Sequence, residues 1–187
     1  MFDTNRGNRP ALVVKILATG GIDRNGNGSI ETSSDLDNNG VISGAEIRPL
    51  VDTNSNGYIE PSEIQDERVV WAMPVGVVDQ VGRALAMGTD GNLWIGTFTD
   101  SKWYKMRSTD GSILAGPYSM PAGSQPYGAV VDSNGILWSA SISAYLGRLD
   151  TSTGATSRFT RPSCTDYGIA IGNGKVYQAI YQGALSY

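Results

Sequence analysis

Apolar residues along this chain of 187 come in short runs of strand length, and few segments carry the 3.6-residue period of a helix. Residues 11–20, ALVVKILATG, form the first run and end on a turn signal; residues 68–74, RVVWAMP, form the second. Everything between them is polar and turn-rich. Read as two arms of one hairpin, the runs place the whole stretch 23–67 at the hairpin tip, as an elaborated connection and not a separate folding unit. From Gly82 onward the pattern repeats. ALAMGTDGNLWIGTF (84–98) aligns with GAVVDSNGILWSASI (128–142), and more loosely with GIAIGNGKVYQAIY (168–181). In each, a strand leads to an Asp-Gly or Asn-Gly turn closed by Gly91, Gly135 or Gly174, and a second strand carries Trp94, Trp138 or Tyr177 at the same offset. WYKMRSTDGSILAGPY (103–118) and YLGRLDTSTGATSRFT (145–160) supply a matching second hairpin.

Four strands in forty-odd residues is one blade of a β-propeller. The expectation is therefore an all-β fold: a partial β-propeller of about three four-stranded blades, with an inserted loop segment. Its parts are an N-terminal strand of a first partial blade (1–22), the insert (23–67) and the blades (68–187). With strands lettered a to d from the axis outward, the chain opens in c (11–20) and d (68–74). It completes two blades and reaches ALSY (184–187) at the start of another c. Three blades are fewer than the four to eight of closed propellers, so the chain is not expected to close on itself. The tryptophans read as blade packing. Tyr127 and Tyr167, at the start of inner strands, are the better candidates to touch a ligand.

Charge singles out the insert. Ten of the 18 acidic residues lie between Asp23 and Glu67 against two of the 14 basic ones, about −8, while the remainder carries about +4. Within it, acidic and amide side chains alternate three times ahead of a glycine and an isoleucine. A twelve-residue calcium loop takes ligands from positions 1, 3, 5, 7 (through a carbonyl) and 9, turns on Gly at 6 and closes with a bidentate Glu at 12. The second copy offers Asp35, Asp37, Asn39, the Val41 carbonyl and Glu46. The third offers Asp52, Asn54, Asn56, the Tyr58 carbonyl, Glu60 and Glu63. The first has Asp23, Asn25, Asn27 and the Ser29 carbonyl, but Ser34 stands at position 12, leaving Glu31 or Asp35 to close it. Two Ca2+ sites, with a third open, are expected. The loops resemble EF-hands, dockerins and thrombospondin type 3 repeats over the ligand positions. Flanking room is shorter than in a helix-loop-helix: only IRPLV, broken by Pro49, separates loops two and three, so one-turn helices are the most that fit.

A second resemblance covers residues 68–187. Pro126-Tyr127-Gly128, Asp132, Gly135, Leu137-Trp138, Leu146, Arg148, Asp150 and Thr153-Gly154 follow the blade pattern of the streptogramin-lyase-like and NHL-like β-propellers. Streptogramin lyases use a metal and a catalytic histidine on one propeller face to eliminate a lactone. This chain has no histidine, and no acid/base constellation recurs near the inner loops, so catalysis is not expected. The lone Cys164 forms no internal disulfide and has no histidine to activate it. No run reaches the ~20 apolar residues of a membrane helix, residues 1–10 are not a signal peptide, and mild acidity offers no nucleic-acid footprint. Calcium loops suit a calcium-rich exterior, so an extracellular or cell-surface location is expected. The sequence points to a non-catalytic, calcium-stabilised structural or interaction protein that self-associates through open blade edges into a multimer or filament. A fragment of a larger lyase-like propeller and a dockerin-like docking module are the alternatives.

Overall fold

A computed structural model describes residues 1–5, 10–161 and 165–182. The strands are β1 (Phe2–Asn5), β2 (Ala11–Ile16), β3 (Val69–Val75), β4 (Gly82–Met87), β5 (Leu93–Thr97), β6 (Lys102–Met106), β7 (Ile113–Ser119), β8 (Gly128–Val131), β9 (Ile136–Ala140), β10 (Tyr145–Asp150), β11 (Thr156–Thr160), β12 (Thr165–Gly172) and β13 (Lys175–Gln182). Among the described residues the helices are two single 3-10 turns, Gly44–Glu46 and Pro61–Glu63. The fold is all-β. It divides into two compact units, one of Met1–Asp3 and Val13–Pro74, the other of Thr4–Leu12 and Val75–Tyr187.

The second unit holds the blades. Strands β4-β5-β6-β7 form one four-stranded meander and β8-β9-β10-β11 another, while β12 and β13 form a two-stranded sheet. The sequence repeat is also a repeat in register: Trp94 stands opposite Ala86, Trp138 opposite Val130 and Tyr177 opposite Ala170. Strand β4 lies beside β8, and β8 beside β12, so the first strand of each hairpin is the inner one. Turn chemistry sets this register. Asn173 and Gly174, with φ of 51° and 69°, form the two-residue turn whose twist matches the flanking strands.

Packing grades along the repeat. Every residue of β5 is buried, and the indoles of Trp94 and Trp103 join Ala84, Met120, Leu137 and Leu149 in one cluster that draws on both four-stranded blades. Each such indole removes roughly 200 Å² from water, about 5 kcal/mol gross. Trp138 is half-buried and donates its Nε1–H to Asp132 Oδ2 at 2.9 Å. Tyr177, at the same offset, is 51% exposed. Identical local patterns thus end in different burial, because burial depends on which blade faces the strand.

The three-stranded sheet β1-β2-β3 differs from the expectation in two ways. Strand β2 stops at Ile16, because the run beyond it turns into the insert. Strand β1, which carries no strand-length apolar run of its own, pairs beside β2 through main-chain bonds that include Ile16 N–H to the Met1 carbonyl at 2.8 Å. Residues 1–22 therefore hold two strands where one was expected. The strand expected at 184–187 and Cys164 lie outside the described residues.

Candidate metal centres

The insert contains three turns built to one plan. In each, the carboxylate at position 1 accepts from the backbone N–H of positions 5 and 6. Asp23 accepts from Asn27 and Gly28 (3.1 and 2.9 Å), Asp35 from Asn39 and Gly40 (3.1 and 2.8 Å), and Asp52 from Asn56 and Gly57 (3.1 and 2.7 Å). The side-chain oxygens of Asn27, Asn39 and Asn56 each accept the N–H of position 7, from Ser29, Val41 and Tyr58, at 2.8 Å. The residue at position 3, Asn25, Asp37 or Asn54, accepts from position 5. Gly28, Gly40 and Gly57 have φ of 80°, 83° and 86°, where a side chain would be strained. In each turn the alternating spacing thus brings the side-chain oxygens of positions 1 and 3 together on the N–H of position 5.

Loops two and three close as their spacing predicts. Glu46 Oε1 accepts from Leu36 N–H at 2.7 Å and its Oε2 from Ser43 N–H at 3.0 Å. Glu63 Oε1 accepts from Thr53 N–H at 2.7 Å, and its Oε2 from Glu60 N–H at 3.0 Å. In both, a 3-10 turn carries the glutamate back over the loop. Oxygens of Asp35, Asp37 and Glu46 all lie within 4.8 Å of one another. Hard carboxylate, amide and carbonyl oxygens on one short turn are the donor set for calcium.

Hydrogen bonding keeps these carboxyls ionised. The Gly40 N–H holds Asp35 below its ordinary range, and the Ser43 N–H does the same for Glu46. Glu63 is pulled down to about 2, chiefly by its hydrogen bonding with the Glu60 carboxyl and then by the Thr53 hydroxyl. Glu67 is lowered chiefly by the Glu31 N–H.

Loop one differs at its end. Glu31 stands at position 9, where its oxygens face Asn25 Nδ2 and Asn27 Nδ2 at 3.3 Å. Glu60 faces Asn54 and Asn56 in the same way at position 9 of loop three. Asp35 is committed to loop two. The carboxyls of Asp66 and Glu67 also reach the neighbourhood of loop one, with Asp66 Oδ2 accepting from Thr32 Oγ1 at 2.9 Å and from Ser33 N–H at 3.1 Å. The spacing rule could not find them, because they follow loop three in the chain; the only sequence signal was an adjacent acidic pair before a strand.

In the blade unit, Tyr127 and Tyr167 meet, with ring centroids 4.6 Å apart. The Arg83 guanidinium lies 4.3 Å from the Phe98 centroid and 4.8 Å from that of Tyr127. Sequence reasoning singled out the two tyrosines but not Arg83 or Phe98, which bracket the first hairpin.

No family model matches this chain, and no curated protein matches its sequence. Solved structures do match. Selenomethionine-substituted virginiamycin B lyase from Staphylococcus aureus superposes with a TM-score of 0.51 and 20% identity, over 57% of this chain and 37% of the lyase. A streptogramin B lyase structure gives 0.51 and 24%, over 57% and 36%. The chain thus spans little more than a third of the length of either. At these identities the likeness is one of fold, and the chain is an all-β partial propeller whose blades are built like those of the streptogramin B lyases.

Proposed function

We propose that this chain is a calcium-stabilised, non-catalytic structural or interaction protein of the cell exterior, which associates with further copies of itself through its blade edges. The observation that carries the calcium reading is the threefold recurrence of one oxygen-lined turn in a segment of net charge about −8. Cations would relieve that self-repulsion, so their binding free energy also orders the insert. Its 3-10 turns offer no long apolar helical face, which disfavours a dockerin-like docking role.

Self-association rests on strand pairing. Strand β13 has β12 on one side and, among the described residues, no strand on the other, and such an edge templates further pairing. In a shared blade, β12 and β13 of one copy would supply strands a and b, and β2 and β3 of the next would supply c and d. Strand β1 now fills the place that β13 would take beside β2, so sharing requires β1 to be displaced. Repeated head to tail, a contact that does not close on itself yields a filament. The second reading is a piece of a larger propeller, favoured by the chain spanning about a third of the solved relatives.

Light scattering of the purified chain in millimolar calcium and in chelator, paired with calorimetry, tests the reading. Binding of at least two calcium ions and a multimer whose mass falls in chelator are expected. A monomer in calcium whose β13 amides are protected from exchange would overturn the association, and a flat titration would overturn the calcium assignment.

A further inference from the structure

Resting on the reading of the insert as calcium loops, we propose that loop one is a complete third site whose closing carboxylate is Glu67, supplied from the far end of the insert. In the other loops the closing glutamate bridges the N–H groups of positions 2 and 9. Glu67 makes the same bridge in loop one: its Oε1 accepts from Arg24 N–H, position 2, at 2.8 Å, and its Oε2 from Glu31 N–H, position 9, at 2.8 Å. The main chain matches as well. The residue before position 1 donates its N–H to the carbonyl of the closing glutamate in loop two, from Ser34 to Glu46 at 3.4 Å, and in loop one the same bond runs from Ile22 to Glu67 at 2.7 Å. Glu67 N–H in turn donates to the Glu31 carbonyl at 2.8 Å. The backbone of Glu67 is therefore clamped between both ends of loop one, independently of its side chain. Gly21 keeps that approach open, since a Cβ there would stand 2.8 Å from the Glu67 carbonyl oxygen.

Burial points to a cation. Glu67 is 3% exposed and forms no salt bridge among the described residues, and the Asp23 carboxylate acts on it as a like charge. Backbone N–H groups satisfy both Glu67 oxygens but leave the like charges of Asp23 and Glu67 without an opposite charge in a salt bridge among the described residues, and a divalent ion between Asp23, Asn25, Asn27 and Glu67 would offset them. A groove of about 710 Å³ is lined by two of these residues, Asn25 and Glu67, together with Arg24, Glu31, Arg48 and Ile64.

The consequence is regulatory. Ions in loops two and three fasten twelve-residue turns, whereas an ion in loop one ties the first residues of the insert to its last. Site one therefore closes the whole insert onto the base of β3, and closing a long loop removes more chain entropy than closing a short one.

Calcium titration of the full chain by calorimetry and native mass spectrometry tests this. Wild type should bind three ions and Glu67→Gln two. Glu67→Asp, which keeps the charge with a shorter reach, should bind three with one site weakened at least tenfold. Ser34→Ala should match wild type. If Glu67→Gln proves unfolded by circular dichroism, Glu67→Asp decides alone. Three ions at unchanged affinity in the glutamate variants, loss of one ion in Ser34→Ala, or two ions in both wild type and Glu67→Gln would overturn the role of Glu67 while leaving the calcium reading intact. No binding by wild type would overturn that reading itself.

Discussion

The insert and the blades reach order by opposite means. Each calcium-type loop is shaped by side-chain oxygens that accept backbone N–H groups a few residues away, and little that is apolar is buried: Val41 and Tyr58 are 59% and 55% exposed, and Ile59 and Ile64 are the exceptions at 8% and 4%. The blades bury indoles and aliphatic side chains drawn from strands distant in sequence, as where Trp94 of one blade shares a cluster with Leu137 and Leu149 of the next. On the proposed calcium reading, concentrated negative charge should make the insert's order depend on solution ions, whereas hydrophobic burial should leave the blades nearly indifferent to them.

Calcium removal should separate the two regions most. In excess chelator, the amides of Gly28, Gly40 and Gly57 should lose their protection from hydrogen exchange while those of β5 and β9 keep theirs. Loss of protection in both regions together would show that the blades lean on the insert. The converse lesion is Trp103→Ala, which opens a cavity beside a side chain with 0% exposure. It should destabilise the blades by about 3–5 kcal/mol in urea, and calcium stoichiometry should stay at the wild-type value.

Within the insert, Glu46→Gln and Glu63→Gln should each remove one calcium ion and leave the others, because each loop closes within its own twelve residues. Titration of the double variant that matches wild type would sink the assignment of both loops. Within the blades, Trp138→Phe removes the 2.9 Å bond to Asp132 and keeps the packing against Phe159, with ring centroids 6.0 Å apart. A loss of about 1 kcal/mol in thermal or urea unfolding is expected.

The smallest effect concerns Asp90, whose carboxyl is held at about 2, first by the Lys105 ammonium 2.7 Å away and then by Asn92. A carboxyl lowered on folding stabilises above its unfolded value and ceases to do so as pH falls through its folded value. The contribution is therefore present above pH 4 and lost between about 4 and 2. The pair is partly exposed, so Asp90→Asn should cost about 0.5 kcal/mol or less at neutral pH, and the difference from wild type should vanish near pH 2 in acid titrations of stability.

Much of this was legible in the chain. The repeat of Trp94, Trp138 and Tyr177 gave the hairpin register because Gly91, Gly135 and Gly174 take the positive φ that such turns need. The turns of loops two and three and the return of Glu46 and Glu63 over them were legible because a twelve-residue turn is a local object. Strand β1 was not, since residues 2–5 have no alternating apolar pattern and owe their pairing to the free side of β2. The Arg83–Phe98–Tyr127 contact was hidden for the same reason: it joins the ends of different strands.

The amino-acid sequence by itself determined the all-β character, the blade repeat and the shape of each oxygen-lined turn, because strand alternation, turn glycines and the Asp/Asn spacing act within about a dozen residues. Only the tertiary structure decided which repeats are buried, from Trp94 at 1% exposure to Tyr177 at 51%, and which carboxylate meets the open end of loop one. Ser34 holds the expected position by counting, but Glu67 is brought there by the pairing of β2 with β3, which returns the end of the insert to its beginning. Spacing along a chain cannot foresee a neighbour that a sheet supplies from more than forty residues away.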